Sequence, residues 1–397
     1  MTKSRLAALV LVGVAATGGG IAAFSLRGAG DVRDAAPAPK PAPPKPAPQL
    51  VVDGAQAGQV PWDQPLRLRV LHASVGAVSV QDETGTAIAG TVGPDGVWQT
   101  TAGLVPLTRY TADVEAVRRP HHVSHQRVTV QTTDAARHLA ATISPGDGAT
   151  VGVGMPIAVT LDGDVASPNR AGTEARLSVT TNPPVAGAWH WMSPRELHWR
   201  PPTFWPPHTD VSVDANLDRL DVGGGVWGAG HRSSHFVIGD AHVSFADVQS
   251  HKFTVTSNGR VQRVIPMSAG RDAYPTKNGV HIALEKSQVV TMDSQTVGIP
   301  RNSPDGYYEK VYWDVRISNG GAFVHAAPWS VGEQGSRNVS HGCVNISTSD
   351  AQWFFSFTQR GDVVNVVHSP APPVLSDPGT ADWNVTWAAW LAGAASS

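Results

Sequence analysis

The chain has only one cysteine, Cys343, in 397 residues. A single thiol excludes an intramolecular disulfide and a Cys-rich metal cage. It likewise excludes an immunoglobulin-type disulfide in any β-sandwich module. No cysteine follows the N-terminal apolar run, so a lipid-modified cysteine anchor is excluded too. Neither sign of charge is in excess: 30 Lys and Arg face 32 Asp and Glu, for a net −2. Bulk charge therefore gives no affinity for nucleic acid or for an anionic membrane surface. What the chain does hold is 41% hydrophobic residues against 16% charged, enough to build cores. Forty Gly and thirty-one Pro, with many Val and Thr, favour short strands and turns over long helices. Thirteen Trp against five Tyr is unusual, and indoles serve equally in large cores and in carbohydrate or peptide surfaces.

The N-terminus reads as a membrane-targeting segment. Lys3 and Arg5 precede nineteen uncharged residues, Leu6 to Phe24. That is longer than a usual signal core and close to the roughly 20 residues that span a bilayer. The flanking charges predict an inside N-terminus and an exported remainder. An uncleaved anchor is expected ahead of a cleaved signal, although Ala22-Ala23 leaves cleavage open. Residues 1–34 are thus assigned to the cytoplasmic N-terminus and anchor, and 35–49 to a Pro/Ala linker. Proline at this density favours extended polyproline II, so its fourteen residues from Ala35 to Pro48 reach roughly 40 Å.

Beyond Val51 the chain reads as mainly β. Leu66–Val70, Tyr110–Ala116 and Arg127–Val130 alternate apolar and polar residues. Trp98, Pro106 and Thr108 recur at Trp199, Pro207 and Thr209, each offset by 101 residues. That period predicts two immunoglobulin-like β-sandwich modules, 50–136 and 137–239. A third unit, 240–368, opens with a hairpin over Ser257-Asn258-Gly259-Arg260. Strands follow at Val280–Leu284, Val289–Met292, Trp313–Ile317, Ala322–His325 and Val363–Val367. One main helix is expected, with Ser347 as N-cap, Asp350 three residues on and Gly361 as its stop. Residues 369–397 form a Pro-rich then Trp-rich tail. Spacings of four and three put Trp383, Trp387 and Trp390 on one helix face that packs back onto the protein.

The chemistry concentrates near the lone thiol. Cys343 sits in Val339-Ser340-His341-Gly342-Cys343-Val344-Asn345, and His325 lies eighteen residues upstream. A free thiol in an exported chain fits a nucleophile activated by a histidine near in space. The competing reading, a buried structural cysteine, is disfavoured by Gly342, Asn345 and His341 around it. His325 ends an apolar strand, where a lone histidine is usually a satisfied core residue; the cysteine makes it a candidate base. Such a partner is expected to bring the thiol below its usual ~8.5. Gly342 lets backbone approach closely, so the amides of Gly342 and Cys343 can donate to an oxyanion. Tyr307 supplies a hydroxyl at a turn. A zinc reading of His325, His341 and Cys343 fails because the fourth ligand and the short knuckle spacings are missing. No metal and no cofactor is expected.

The run Ser340-His341-Gly342-Cys343-Val344-Asn345, with Val324-His325-Ala326-Ala327-Pro328-Trp329-Ser330 upstream, resembles the L,D-transpeptidases of the YkuD type. Tyr274–Gly279, Met292-Asp293-Ser294, Gly306-Tyr307 and Asp382-Trp383-Asn384 are similar to the same family. The match is with the mycobacterial and related actinobacterial type: anchor, two immunoglobulin-like modules, catalytic domain and Trp-rich C-terminal subdomain. The resemblance implies peptidoglycan cross-linking. Cys343 would be acylated by a tetrapeptide donor stem with loss of D-Ala, and a second stem's side-chain amine would resolve the thioester into a 3→3 cross-link. It implies His325 as base, and Gly342, Cys343 and Tyr307 as oxyanion donors. His341 and Asn345 would shape the loop. Met292, Tyr307, Gly321, Ala326, Trp329, Ser340 and Asn345 would contact substrate. Carbapenems are implied as covalent inhibitors, and the cell envelope as the location.

Two positions depart from the family pattern. Ala326 stands where relatives often have Ser after the histidine, and Val297 where some carry Tyr on the lid. Alanine keeps the backbone carbonyl thought to orient the imidazole. Rival functions on the same site are an L,D-carboxypeptidase, with water as acceptor, and a ligase attaching protein to the wall. A catalytically silent wall-binding protein is the rival from another class, and the intact Cys343/His325 pair argues against it.

Overall fold

Alternation of buried and exposed side chains builds this molecule, as the strand Arg109–Arg118 shows: Tyr110, Ala112, Val114 and Ala116 are buried and the residues between them are not. The computed structural model describes residues 44–118, 122–375, 377 and 381–393. The anchor expected over 1–34 and most of the Pro/Ala linker lie outside the described residues. Among those described, no helix is long and apolar enough to cross a membrane.

The first part pairs two four-stranded sheets. One contains Gln49–Val52, Arg67–Leu71, Trp98–Thr100 and Gly90–Val92, and the other Gln59–Val60, His122–Thr132, Arg109–Arg118 and Ser74–Asp82. Leu68, Val80, Trp98, Tyr110, Val114 and Val130 fill the space between them. A second pair of four-stranded sheets follows, with Ile157–Leu161 and Glu196–Arg200 central in one and His231–Ile238 and Asp210–Asn216 central in the other. The 101-residue period has a structural basis. Trp98 and Trp199 are buried in strands of their respective sheets. Each lies over a glycine whose missing side chain makes room for the indole: a Cβ on Gly90 would come within 2.1 Å of Trp98, and one on Gly187 within 2.3 Å of Trp199. Thr108 and Thr209 are both buried, and each hydroxyl donates to a nearby proline carbonyl, Pro106 and Pro206. The helix α1, Ser167–Glu174, lies in the second part and was not expected; its proline sits in the first turn, where the missing N–H costs nothing.

The third part is two sheets around one helix. The first has the order Arg260–Pro266, Lys252–Ser257, His242–Asp247, Val363–Val367, Gly279–Ile282. Its hairpin turns through Asn258 (φ 48°) and Gly259 (φ 75°), the left-handed pair that Asn-Gly accepts. The second sheet runs Glu285–Asp293, Tyr308–Arg316, Phe323–Ala326, Val344–Ile346. Helix α2, Thr348–Phe357, is capped by Ser347, which accepts the Asp350 amide at 3.1 Å and donates to its carboxylate at 2.6 Å. Ala351 and Phe354 carry α2 into a core with Phe253 and Val255 from one sheet and Val315, Val324 and Val344 from the other.

The second and third parts share a core. Ile282 and Val363 belong to the cluster that holds Val153, Met155 and Ile157. The backbones also pair directly: Gly152 and Gly154 amides donate to Arg360 and Gly361 carbonyls at 2.8 and 2.9 Å. A Cβ on Gly152 would come within 2.4 Å of Gly361, so this approach requires glycine.

The tail corrects one expectation. Trp383, Trp387 and Trp390 do not share one helix: Trp383 lies in a 3-10 turn, Asp382–Asn384, the chain extends at Val385, and α3 spans Trp387–Ala392. The three indoles nevertheless converge, on the guanidinium of Arg200. Its central carbon lies 4.9, 5.3 and 4.4 Å from their ring centroids.

Candidate active site

The strand Phe323–Ala326 is central to the second sheet of the third part, and its pattern is set by what lies on each side. Val324 and Ala326 enter the core under α2, so Phe323 and His325 occupy the opposite face. The strand runs parallel to Val344–Ile346, with Val324 beside Val344 and His325 beside Asn345. Cys343, two residues before Asn345, therefore falls on the face of His325. Parallel pairing turns an eighteen-residue separation into spatial neighbourhood.

The Ser340 hydroxyl braces the loop before Cys343 from within. The Ser340 hydroxyl donates to the Cys343 carbonyl at 2.7 Å and accepts the Gly342 amide at 3.1 Å. Gly342 sits at φ +121°, closed to other residues without strain. The Gly342 N–H is thus engaged within the loop, which removes it from the expected oxyanion set. The Cys343 amide has no hydrogen-bond partner among the described residues. The thiol is half-buried, with Sγ 3.9 Å from the Gly321 carbonyl.

His325 is buried, and Nδ1 lies 2.9 Å from the carbonyl of Ala326, so Nδ1 carries the hydrogen and Nε2 is the free base. The orienting carbonyl belongs to the residue whose side chain departs from the family pattern, so the alanine leaves this contact intact. Burial lowers the imidazole to about 4 and raises the thiol to about 11, the latter reinforced by the charges of Asp314 and Glu309. The expected lowered thiol is overturned. Burial disfavours the charged form of both groups, so the resting site holds a neutral thiol and a neutral imidazole.

The other expected residues surround this pair unequally. Tyr307 is half-buried, its backbone clamped on Ser294 in both directions and its ring 5.0 Å from that of His341. Burial and the nearby Cys343 charge both raise its phenol. Asn345 is buried; its Nδ2 donates to Ser330 at 3.2 Å, and its amide and carbonyl pair with Ser268. Trp329 is largely exposed, its ring 6.1 Å from that of His325. Met292, Tyr307 and Gly321 line a cavity of about 300 Å³ with Val297, Arg316 and Phe323. Beside it, Arg301 forks onto Asp293 and lies over the ring of Tyr308, closing the lid segment at its base. A larger cavity of about 630 Å³ lies under Trp62 and Trp227 and holds none of the expected site residues.

Sequence reasoning missed two features. The guanidinium of Arg271 bonds Asp305 at 2.5 Å and His341 Nε2 at 3.1 Å, and the Tyr274 hydroxyl closes the set on Asp305 at 3.0 Å. Burial and the Arg271 charge lower His341, so it is tied to the loop as a neutral acceptor. The second is Asp314, buried on the strand beside His325. No local pattern marks either.

The family profile of the L,D-transpeptidase catalytic domain matches residues 241–366, and that of a bacterial Ig domain residues 57–221. L,D-transpeptidase 2 of Mycobacterium tuberculosis is 41% identical over 344 residues, 86% of this chain and 83% of that protein. L,D-transpeptidase 1 of the same organism is 40% identical over 227 residues, 57% of this chain and 84% of that protein. The solved structure of the LD transpeptidase LdtMt1 in complex with imipenem superposes with a TM-score of 0.51 at 39% identity, covering 57% of this chain and 98% of that one.

Proposed function

This chain belongs to the L,D-transpeptidase family, and from that premise we propose that Cys343 is its nucleophile, His325 its proton carrier and peptidoglycan stem peptides its substrates. The observation that carries the reading is the orientation of His325: Nδ1 is committed to the Ala326 carbonyl, which leaves Nε2 basic on the face that Cys343 shares.

The donor stem lies in the cavity lined by Met292, Tyr307 and Gly321, with the carbonyl between residues three and four over Cys343. Sγ forms a bond to that carbonyl carbon while the thiol proton passes to Nε2 of His325. Because the resting pair is neutral, proton transfer accompanies attack. The developing oxyanion meets the Cys343 amide and the hydroxyl of Tyr307, the half-buried phenol that also lines the cavity. The C–N bond breaks, and D-Ala leaves with the proton from His325. A second stem's side-chain amine then attacks the thioester carbon and gives a proton to His325. The thiolate leaves and is reprotonated, and the product is a 3→3 cross-link. Such proton transfer contributes about 10²–10⁴-fold. Trp329, exposed beside His325, forms the acceptor side. Imipenem, bound by the solved relative, is expected to acylate the same sulfur. The work site is the cell envelope, with the N-terminal apolar run as tether.

Mass spectrometry of the full chain with a tetrapeptide donor, with and without an amine acceptor, tests this. A thioester on Cys343 establishes the donor half, and dimer formation the acceptor half. Trimmed tripeptide alone would make the enzyme a carboxypeptidase. Absence of any adduct would overturn the assignment.

A further inference from the structure

A β-bulge aims a carboxyl group at the site. Along the pairing of Tyr308–Arg316 with Phe323–Ala326, Tyr312 faces Ala326 and Val315 faces Val324. Trp313 and Asp314 together therefore oppose the single residue His325. Trp313 takes φ +59° and packs against Phe355 in the core. Asp314 goes to the other face, which it shares with Arg316 two residues on. The Arg316 guanidinium lies 4.6 Å over the ring of Phe323, and Phe323 and His325 point the same way. Asp314 is thus on the face of His325, in the adjacent strand and directly opposite it.

Its surroundings are unusual. Asp314 is 1% exposed, and among the described residues neither carboxylate oxygen has a partner outside its own residue. A buried polar group without a partner costs free energy that packing alone never returns. Nor does a fixed cation face it. Arg316, on its own strand, is paired with Glu285; Lys286 turns to the carbonyls of Phe355 and Thr358. Ser287 is its neighbour on the far strand. The titratable groups whose charges bear on Cys343 include Tyr307, Glu309 and Asp314 itself, with His341 two residues before the cysteine in the loop.

We propose that Asp314 is a positioning residue for the Cys343–His325 pair: seated behind the imidazole, its carboxylate draws the positive charge that His325 acquires on taking the thiol proton. The inference rests on the reading of Cys343 and His325 given above. Sulfur passes its negative charge to the substrate carbonyl as the bond forms, whereas the imidazolium persists until the leaving nitrogen takes the proton. A negative charge here therefore favours the acylation transition state even though it opposes a resting thiolate. The resting neutrality of the site is compatible with this, because the carboxyl opposite His325 is one that burial keeps partly protonated. Burial pushes the Asp314 carboxyl up to about 7. Acylation should then accelerate as pH rises through neutrality, when the carboxylate forms.

The test is imipenem acylation of the full chain across pH 5 to 9, for wild type, Asp314→Asn and Cys343→Ala, with thermal midpoints for each. The expected result is that Asp314→Asn loses the rise near neutrality and is slowed about 10-fold or more above it, one unit of imidazole shift being a factor of ten. Its midpoint should not fall, since an unpartnered carboxyl is removed. Wild-type rate and pH profile in Asp314→Asn, with Cys343→Ala silent, would overturn the role of Asp314 and leave the nucleophile standing. An adduct on Cys343→Ala would overturn the nucleophile itself. Should Asp314→Asn not fold, the wild-type profile decides: no ionisation near neutrality means no role for Asp314.

Discussion

Nδ1 of His198 lies 2.7 Å from the carboxylate of Asp382, a contact that joins the strand Glu196–Arg200 to the tail across 184 residues. Both side chains are buried, and the other ring nitrogen of His198 lies 2.9 Å from Glu196. Two residues on, Arg200 donates to the Val385 carbonyl at 2.8 Å while three indoles enclose it. The tail is therefore held by charge placed inside a Trp-lined socket. A buried ion pair is weak evidence for net stability, yet removing one partner leaves an uncompensated charge and is strongly destabilising.

Stability should depend on the His198 charge. Burial opposes protonation, but the Asp382 and Glu196 carboxylates outweigh it and raise the imidazole to about 9. A raised value means the contribution is complete below the unfolded value near 6.5 and is lost as pH climbs through about 9. The shift corresponds to on the order of 3 kcal/mol. The thermal midpoint of the wild type is expected to fall over that window, and that of His198→Phe to be lower at pH 6 and flatter above it. Parallel curves would remove His198 from the account.

Replacing Arg200 by Met should loosen the tail. The variant loses a charged hydrogen bond and three cation–π contacts, together about 2–4 kcal/mol. Trp390, fully buried, with its ring nitrogen on the Ala188 carbonyl at 2.9 Å, would then be released. Limited proteolysis between 381 and 393 and a lower midpoint are the expected readouts. Removing residues 381–397 should lower the midpoint at least as far.

Local signals were legible in the sequence and long-range ones were not. Asn258-Gly259 announced its hairpin and Ser347 its helix because each acts within four residues. Cys343 and His325 were legible as a pair because a motif marks them, and the parallel register supplies the geometry. Asp314 was invisible: its meaning depends on a bulge, which exists only once two strands are paired. The same holds for His198 and Asp382. The resting protonation state was misread because desolvation is a property of the packed site, and no residue near Cys343 in sequence reports it.

His325→Ala should slow imipenem acylation by about 10²–10⁴-fold. The neutral, desolvated thiol makes a second point testable: with desolvation holding Cys343 up to about 11, alkylation of the free enzyme by iodoacetamide should keep rising well above pH 8.5. A plateau at or below neutrality would show a resting thiolate and refute the neutral pair. An unchanged acylation rate in His325→Ala would make the histidine structural.

Deleting residues 1–136 should leave a protein that folds and still acylates, whereas deleting 1–239 should not. The first part fills its own core with Leu68, Trp98, Tyr110 and Val114, and none of these belongs to the cluster under the site. Its ties to the second part include the edge contact of Trp62 with Trp227, 5.7 Å between centroids, and the exposed pair Glu83–Arg219. An exposed ion pair, screened by solvent, contributes little. The second part is different. Val153, Met155 and Ile157 share a cluster with Ile282 and Val363, and the Gly152 and Gly154 amides reach into the third part's backbone. Each buried side chain of that size contributes roughly 1.5–3 kcal/mol, so the loss of several is comparable to the roughly 5–15 kcal/mol margin of an ordinary domain. The socket for the tail, Arg200 and His198, would go with it. Imipenem acylation and thermal unfolding of both truncations are the measurements. A silent 1–136 deletion would give the first part a role in the chemistry, and a stable, active 1–239 deletion would show the shared core to be dispensable.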